Sequence, residues 1–319
     1  MLTYILFIAG FYILIRGADM LVDGAVSVAH KLKVSSIVIG LTIVSFGTSA
    51  PELAVNLFSI SKGSTDIAIG NILGSNIANI LLILGTSAIF YPIVTKKNTI
   101  WKEIPFSLLA AVLLGVMAND KFFDGASFSQ LSRIDGIVFL AFFVIFIYYT
   151  FGISKIRENI DDEIEVKYKK YWQAIVFIFL GMIGLTLGGK WIVDGAVEIA
   201  QHFGVSQSLI GLTIVAIGTS LPELATSVVA AYKKHTDIAV GNVVGSNIFN
   251  IFFVLGIGAT VKPLPFNSNF DTDIWVVILA SLVLFFTMFI GRKRTIDKTE
   301  GILMVTFYIF YIYFLVSGS

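Results

Sequence analysis

The chain has 319 residues, of which 56% are hydrophobic and 13% are charged, and its formal net charge is +1. Because soluble domains usually carry about 25% charged residues, this composition excludes an ordinary soluble protein, and the sequence has no basic stripe for nucleic acid. The chain contains no cysteine, which excludes disulfides and thiolate metal sites.

Apolar segments follow one another along the whole sequence, and most are long enough to cross a hydrocarbon core, which takes roughly 17–25 helical residues. They are continuous rather than alternating, which favours helices over the strands of a membrane barrel. The first segment lacks a small-residue cleavage site, so we predict a retained span rather than a signal peptide. We predict an all-α integral membrane protein with about ten transmembrane helices: Leu2–Ala29, Val34–Ile60, Ile67–Tyr91, Ile100–Ala118, Ile134–Ile153, Tyr171–Ala200, Val205–Tyr232, Ile238–Val261, Ile274–Ile290 and Ile302–Val316.

The basic residues of the loops indicate how the chain is oriented. When the loops are assigned alternately to the two sides of the membrane, one side holds most of the basic residues. The other side has only Lys62, Lys121, Arg133 and Lys262. Basic residues near the ends of spans resist export, so the crowded side is predicted to be cytoplasmic. Both termini are then extracellular, in a multi-pass protein of the cell membrane.

The sequence repeats itself without a gap at a constant offset of 171 residues. The segment "VSSIVIGLTIVSFGTSAPELA" from Val34 matches "VSQSLIGLTIVAIGTSLPELA" from Val205. Likewise, "TDIAIGNILGSNIANI" from Thr65 matches "TDIAVGNVVGSNIFNI" from Thr236. A match of this length indicates a fused duplication.

The duplication divides the chain into three predicted parts. Residues 1–153 form the first repeat of five helices, residues 154–170 form a cytoplasmic linker, and residues 171–319 form the second repeat of five helices. Because each repeat has an odd number of spans, the second must cross the membrane upside down relative to the first. Inverted repeats of this kind are typical of carriers that work by alternating access.

Two carboxylates lie deep inside predicted spans, at Glu52 in "GTSAPEL" and Glu223 in "GTSLPEL". A charged side chain at the centre of a bilayer costs at least about 2.5–3.5 kcal/mol. Basic partners are scarce, because Arg16 and Lys190 are the only basic residues placed inside spans apart from Lys102 at the start of Ile100–Ala118, and all three lie on other helices. A bound cation is therefore the predicted partner of the two glutamates.

The neighbouring residues support a cation site. Pro51 and Pro222 each lack an N–H group and should break their helices, which frees backbone carbonyl groups. The second motif of each half adds polar side chains at helical spacing: Ser75, Asn76, Asn79, Ser246, Asn247 and Asn250. An oxygen-only set of this kind suits a hard cation such as Ca²⁺. The three histidines lie near loops, where a surface position is their more usual role.

The paired "GTSxPE" and "GNxxGSN" blocks resemble the alpha repeats of the calcium/cation antiporter superfamily, in particular its prokaryotic sodium/calcium exchanger branch. The resemblance covers the whole plan of spans. It implies a secondary active antiporter, not an enzyme, that exchanges Na⁺ for Ca²⁺ through one central site, with no cofactor and no obligatory protein partner. It also implies that the first and sixth helices move against the rest of the protein.

Carried over by motif position, the resemblance implies a specific set of metal ligands. In it, Glu52 and Glu223 form the central pair, and Ser45, Ala216, Thr48 and Thr219 act mainly through backbone carbonyls. The implied ligands are Glu52, Glu223, Thr48, Thr219, Ser49, Ser220, Ser45, Ala216, Ser75, Ser246, Asn79 and Asn250.

One departure from the family pattern bears on the coupling ion. The prokaryotic pattern often has an aspartate where this chain has Asn250, so only two carboxylates remain in the implied set. Two negative charges balance one Ca²⁺ and leave an excess of one positive charge with three Na⁺, so electrogenic exchange stays compatible with the sequence. The same loss argues against a potassium site.

Alternative functions stay open at this point. The nearest is a proton- or potassium-coupled antiporter of Ca²⁺ or another cation. An intramembrane hydrolase could use the glutamates as acid and base, but one acting on a phosphate needs basic residues close to them, and the sequence places none there. A cation channel is disfavoured by a fused inverted repeat with one site per chain.

Overall fold

The structure, a computed structural model, describes residues 2–154, 170–203, 216–290 and 292–318. Helices dominate the described residues, which confirms the all-α fold class. In the first half, the helices are α1 (Leu2–Leu32), α2 (Ser36–Thr48), α3 (Ala50–Lys62), α4 (Thr65–Phe90), α5 (Thr99–Met117), the short α6 (Asp120–Phe123) and α7 (Arg133–Ser154).

The second half follows the same order. Its helices are α8 (Tyr171–His202), α9 (Ala216–Thr219), α10 (Leu221–Tyr232), α11 (Thr236–Val261), α12 (Asp271–Thr287, after the 3-10 turn Ser268–Phe270) and α13 (Lys298–Gly318).

The helices account for a multi-pass membrane protein. Among the described residues, eight helices are long and apolar enough to cross a membrane, and α2 with α3 makes a ninth span when this bent pair is counted as one. The seventh predicted span, Val205–Tyr232, lies partly outside the described residues, and its described part contains α9 and α10. The membrane fold is confirmed, and the count of ten spans stays a prediction.

Two short antiparallel sheets join the first half of the chain to the second. Strand β1 (Ile93–Val94) pairs with β4 (Thr295–Ile296), and β2 (Gln130–Leu131) pairs with β3 (Leu264–Pro265). Each strand has only two residues, so the sheets fasten loops together and add no layer to the fold.

The centre of the protein is formed by α4 and α11. Their most apolar windows are 72% and 94% buried, against 22–39% for the other long helices. Both helices contain a π-helical segment, Ala78–Leu84 in α4 and Phe249–Leu255 in α11. Segments of this kind are rare and occur frequently at functional sites, and here they lie at sequence-equivalent positions.

The long helices α1 and α8 pack tightly against each other through glycines at intervals of seven residues. These glycines are Gly10, Gly17 and Gly24 on α1 and Gly181, Gly188 and Gly195 on α8. An added Cβ at Gly17 would lie 2.7 Å from the backbone nitrogen of Leu185, and one at Gly188 would lie 2.7 Å from that of Leu14. Small residues let membrane helices approach to backbone contact, so α1 and α8 form one closely packed unit.

A cluster of charged side chains ties α1 to the end of α10. The Nζ atom of Lys233 lies 2.8 Å from Oδ1 of Asp19 and 2.7 Å from Oδ1 of Asp23. Burial opposes the charge of Lys233, but the hydrogen bonds and attraction of the two carboxylates outweigh it and raise the pKa of the amine. Arg16 also pairs with Asp19, at 3.2 Å.

Replacing Lys233 with methionine should lower the thermal stability of the purified protein. The substitution removes the cation that lies between Asp19 and Asp23, and we expect a loss of about 1 kcal/mol, measured as a fall of a few degrees in the melting temperature. The control is Arg16→Met, because the side chain of Arg16 is 59% exposed and its ion pair is screened by solvent. Equal melting temperatures for both variants would contradict the prediction.

Candidate cation site

The site is built where two helices break at the predicted prolines. Ser49 separates α2 from α3 with φ −85° and ψ 5°, and the two helices meet at a bend of 49°. Ser220 separates α9 from α10 with nearly the same angles, φ −90° and ψ 5°. Pro51 and Pro222 lie in the first turn of the new helix, where a missing N–H is tolerated. The predicted helix breaks are therefore present.

The glycines of the two broken turns make room for α8. A Cβ at Gly47 would collide with the side chain of Met182, and a Cβ at Gly218 would collide with that of Val193. Both partners lie on α8. The lack of a side chain at these two positions therefore lets α8 approach both breaks.

Glu52 and Glu223 lie in the first turns of α3 and α10 and are each 1% exposed. The amino-terminal end of a helix favours a negative charge, so both carboxylates lie at a favourable end of their helices. Among the described residues, neither forms an ion pair with a basic side chain. The Oε2 atom of each glutamate is buried without a hydrogen-bond partner.

Serine hydroxyl groups connect the two halves around these glutamates. Ser49 donates to Oε1 of Glu223 at 2.9 Å and shares a hydrogen bond with the hydroxyl of Ser246, also at 2.9 Å. The sequence-equivalent pair, Ser220 and Ser75, lies at 3.4 Å. The structure thus brings the predicted serines of both halves next to one another.

Two asparagines, Asn71 and Asn242, accept hydrogen bonds from the threonines of the broken turns. Neither asparagine is among the predicted site residues. Thr48 donates to Oδ1 of Asn242 at 3.0 Å, and Thr219 donates to Oδ1 of Asn71 at 3.3 Å. Each bond joins one half of the chain to the other. The signal was available, because both asparagines follow the first glycine of "GNxxGSN", four residues before a predicted serine ligand.

Ser45 and Ala216 are predicted to act through their backbone carbonyls rather than their side chains. The hydroxyl of Ser45 donates to the carbonyl of Leu41 at 2.8 Å, so it is engaged within its own helix. The backbone carbonyl of Ser45 accepts the N–H of Ser49 at 2.9 Å and the hydroxyl of Thr48 at 3.3 Å, so its expected role as a carbonyl ligand stays a prediction. Ala216 begins α9, immediately before the second broken turn.

Asn79 and Asn250 belong to the π-helical segments of α4 and α11 and are each 1% exposed. Their side-chain nitrogens donate across the interface between the two helices, and their Oδ1 atoms have no hydrogen-bond partner. Together with Oε2 of Glu52 and Glu223, four predicted ligands each leave one buried acceptor oxygen free.

The chemistry of this cluster suits a hard cation. A buried acceptor without a donor costs free energy, and a cation that accepts several oxygen ligands can supply the missing partner of such oxygens. Among the described residues there is no group of three or more histidine, cysteine or acidic side chains that could hold a metal. The cluster is therefore made of two carboxylates with neutral amide and hydroxyl oxygens around them.

Comparison with known proteins identifies the family of the chain. The model of the family described as "Sodium/calcium exchanger protein" matches residues 2–152 and 173–317. The putative antiporter CaxA of Alkalimonas amylolytica is 40% identical over 320 residues, with 98% of each chain covered. The sodium/calcium exchanger MaX1 of Methanosarcina acetivorans is 31% identical over 344 residues, with 96% of each covered. A solved structure of the sodium-calcium exchanger NCX_Mj, soaked with Na⁺ and Ca²⁺, superposes with a TM-score of 0.83 at 34% identity over 98% of both chains.

The fold and these likenesses define the class of the protein as a membrane transporter, a cation/Ca²⁺ antiporter rather than an enzyme. Within that class, the chain belongs to the sodium/calcium exchanger protein family, whose model covers nearly all of both halves.

Proposed function

We propose that this chain exchanges Na⁺ for Ca²⁺ across the cell membrane by alternating access, and that both ions bind in turn at the ligands around Glu52 and Glu223. The observation that carries the proposal is the group of four buried acceptor oxygens without donors, two from carboxylates and two from amides. Oxygen ligands without basic partners favour a cation over any anionic or neutral substrate. The name of the relative MaX1 supports Na⁺ as the coupling ion.

Competition for the two carboxylates would make the transport an exchange. With Ca²⁺ bound, the charge of Glu52 and Glu223 is balanced, and with Na⁺ bound it is also compensated. The empty site carries two uncompensated carboxylates in a buried environment, which is costly. A carrier of this kind changes sides readily when loaded and poorly when empty, which couples the two ion flows.

The uneven covering of two sequence-equivalent helices supports alternating access. Thr226 on α10 is 0% exposed, and α1 packs on this helix. Its equivalent on α3, Val55, is 39% exposed, and the nearby Phe58 is 65% exposed. The α1–α8 unit therefore covers the half-helix after Glu223 and leaves the one after Glu52 uncovered, as expected for a carrier that is open on one side.

The inverted repeat and the orientation belong to the same proposal. With residues 1–153 and 171–319 as inverted halves and residues 154–170 in the cytoplasm, α3 leads from the site toward the outside and α10 leads toward the cytoplasm. The uncovered face of α3 then corresponds to an outward-open pathway. Movement of the α1–α8 unit toward α3 would close it and open the opposite one.

The experiment that tests the exchange is uptake of radiolabelled Ca²⁺ into proteoliposomes loaded with Na⁺, K⁺ or choline. We expect uptake only against internal Na⁺. A fourth set of vesicles, loaded with choline and given an inside-acidic proton gradient, tests the proton-coupled alternative directly. Uptake driven by internal K⁺ would identify K⁺ as the coupling ion, and uptake driven by the proton gradient would identify H⁺. Equal uptake in all vesicles would indicate a channel.

Single cysteines should reveal the open side, because the native chain has none and gives no background. We expect Val55→Cys to react with a membrane-impermeant thiol reagent added outside intact cells, and Thr226→Cys to stay protected. In inside-out vesicles, ionic conditions that drive the carrier to the opposite state should expose Thr226→Cys. The measurement is the labelled fraction of each variant, and identical labelling of the pair from both sides would contradict alternating access.

A further inference from the structure

Four buried asparagines at the contact between α4 and α11 form a reciprocal set of hydrogen bonds. The Nδ2 atom of Asn79 donates to Oδ1 of Asn247 at 2.9 Å. The Nδ2 atom of Asn250 donates to Oδ1 of Asn76 at 3.1 Å. The two bonds are related by the same offset of 171 residues that relates the two halves. All four side chains are at most 2% exposed, so water does not compete for these bonds.

The inner pair, Asn76 and Asn247, is itself fixed by the opposite backbone. The Nδ2 atom of Asn76 donates to the carbonyl of Asn247 at 3.4 Å, and the Nδ2 atom of Asn247 donates to the carbonyl of Asn76 at 3.4 Å. If either inner amide were reversed, its Oδ1 atom would face the opposite backbone carbonyl oxygen. Its NH₂ group would then face the NH₂ group of Asn79 or Asn250. Both inner amides are therefore held with their oxygens toward Asn79 and Asn250.

This arrangement determines which end of the outer amides is left for an ion. Because Asn76 and Asn247 present acceptors, Asn79 and Asn250 must turn their NH₂ groups toward them. Their Oδ1 atoms are then free of donors, as the structure shows. If an outer amide reversed, it would present an NH₂ group to a cation and would repel it.

We propose that Asn76 and Asn247 are positioning residues, an amide clamp that orients Asn79 and Asn250 so that their oxygens face the transported cation. The proposal rests on the proposed function, in which Asn79 and Asn250 are ligands. The clamp also constrains the residue type at position 250, since a carboxylate there has no N–H to donate to Oδ1 of Asn76. A neutral amide at this position and its clamp partner therefore form one functional unit.

The test is equilibrium binding of ⁴⁵Ca²⁺ to the purified full chain in detergent, compared by mutant cycles. Asn247→Leu removes the hydrogen bonds at similar volume, and we expect about tenfold weaker Ca²⁺ binding, as for loss of one buried hydrogen bond to a ligand. In an Asn79→Ala background the same change should weaken binding less than about twofold, because no amide is left to orient. The matched control combines Asn247→Leu with Asn250→Ala. Asn247 does not bond to the side chain of Asn250, so the two losses in Ca²⁺-binding free energy should be close to additive.

A second variant separates the clamp from simple packing and stays informative if Asn247→Leu folds poorly. Asn247→Asp keeps the acceptor for Asn79 but adds a buried carboxylate. A packing role predicts that aspartate is the more harmful substitution, whereas the clamp predicts that Ca²⁺ binding survives better with aspartate than with leucine. Weaker binding with aspartate than with leucine, or equal losses from Asn247→Leu with and without Asn79, would overturn the clamp.

Failure of the clamp and failure of the proposed function give different results. If the native chain binds ⁴⁵Ca²⁺ and Asn247→Leu binds it equally well, the clamp is wrong and the exchanger proposal stands. If the native chain itself binds no Ca²⁺, the proposed function fails, and the clamp falls with it.

Discussion

Glu52→Gln should abolish Na⁺-driven Ca²⁺ uptake while leaving the protein folded. The substitution preserves the shape of the side chain but halves the negative charge of the site, so a bound Ca²⁺ would remain as a buried, partly uncompensated charge. Removing one partner of a buried charge pair costs about 3–5 kcal/mol, which corresponds to a loss in affinity of at least about 100-fold. Uptake into Na⁺-loaded proteoliposomes should therefore fall to the level of vesicles that contain no protein.

Glu52→Gln should not lower the melting temperature of the ion-free protein, although it abolishes transport. In the native chain without ions, Oε2 of Glu52 is buried without a hydrogen-bond donor, which is costly for a charged carboxylate. Glutamine removes that buried charge, so we expect the ion-free variant to melt at the same temperature as the native chain or higher. Ca²⁺ should raise the melting temperature of the native chain by ligand binding and should leave that of the variant unchanged.

Glu103→Gln provides a matched control for both measurements. Glu103 is also 1% exposed and its Oε2 likewise has no hydrogen-bond partner, but it lies in α5 and its Oε1 accepts a hydrogen bond from the hydroxyl of Tyr149 at 2.6 Å. We expect this variant to retain exchange and the Ca²⁺-induced rise in melting temperature. Loss of exchange in Glu103→Gln, or its survival in Glu52→Gln, would remove Glu52 from the centre of the site.

The parts of the site that could be predicted from the sequence are those determined by local chemistry. A proline lacks a backbone N–H wherever it occurs, so the breaks before Pro51 and Pro222 were predictable and are present. A carboxylate in an apolar span needs a partner, so Glu52 and Glu223 were recognisable as well. Their burial at 1% exposure agrees with that expectation.

Contacts between the two halves could not be predicted in the same way. The bond from Thr48 to Asn242 spans 194 residues, and the ion pair from Lys233 to Asp23 spans 210. Such partners depend on how whole helices cross, which periodicity along one helix does not determine. Asn76 and Asn247 are therefore recognisable in the sequence as polar residues at helical spacing, but the bonds that give them a role are not.

The contact between α1 and α8 is an exception, because it leaves a pattern in the sequence. The glycines of α1 and α8 recur every seven residues and at the same offset as the two motifs. In a membrane helix, regularly spaced small residues indicate a close helix contact. The pattern would have predicted that α1 packs on α8, although the two helices are far apart in the chain.

Gly17→Ala should destabilise the protein by forcing α1 and α8 apart. The new Cβ would lie 2.7 Å from the backbone nitrogen of Leu185 and 2.9 Å from the carbonyl oxygen of Gly181. Both are backbone atoms that cannot rotate away, so the helices must separate. Overpacking of this kind costs about 1–3 kcal/mol, and the melting temperature should fall by several degrees.

The matched control is Gly152→Ala near the end of α7, where an added Cβ would meet no atom within 4 Å. There the change should be neutral or stabilising, because alanine favours a helix over glycine by up to about 1 kcal/mol. Gly188→Ala opens the same contact from the other helix, so the double variant with Gly17→Ala should lose less stability than the two single losses together. Additive losses, or a native melting temperature for Gly17→Ala, would mean that α1 and α8 are not held by this contact and need not move as one unit.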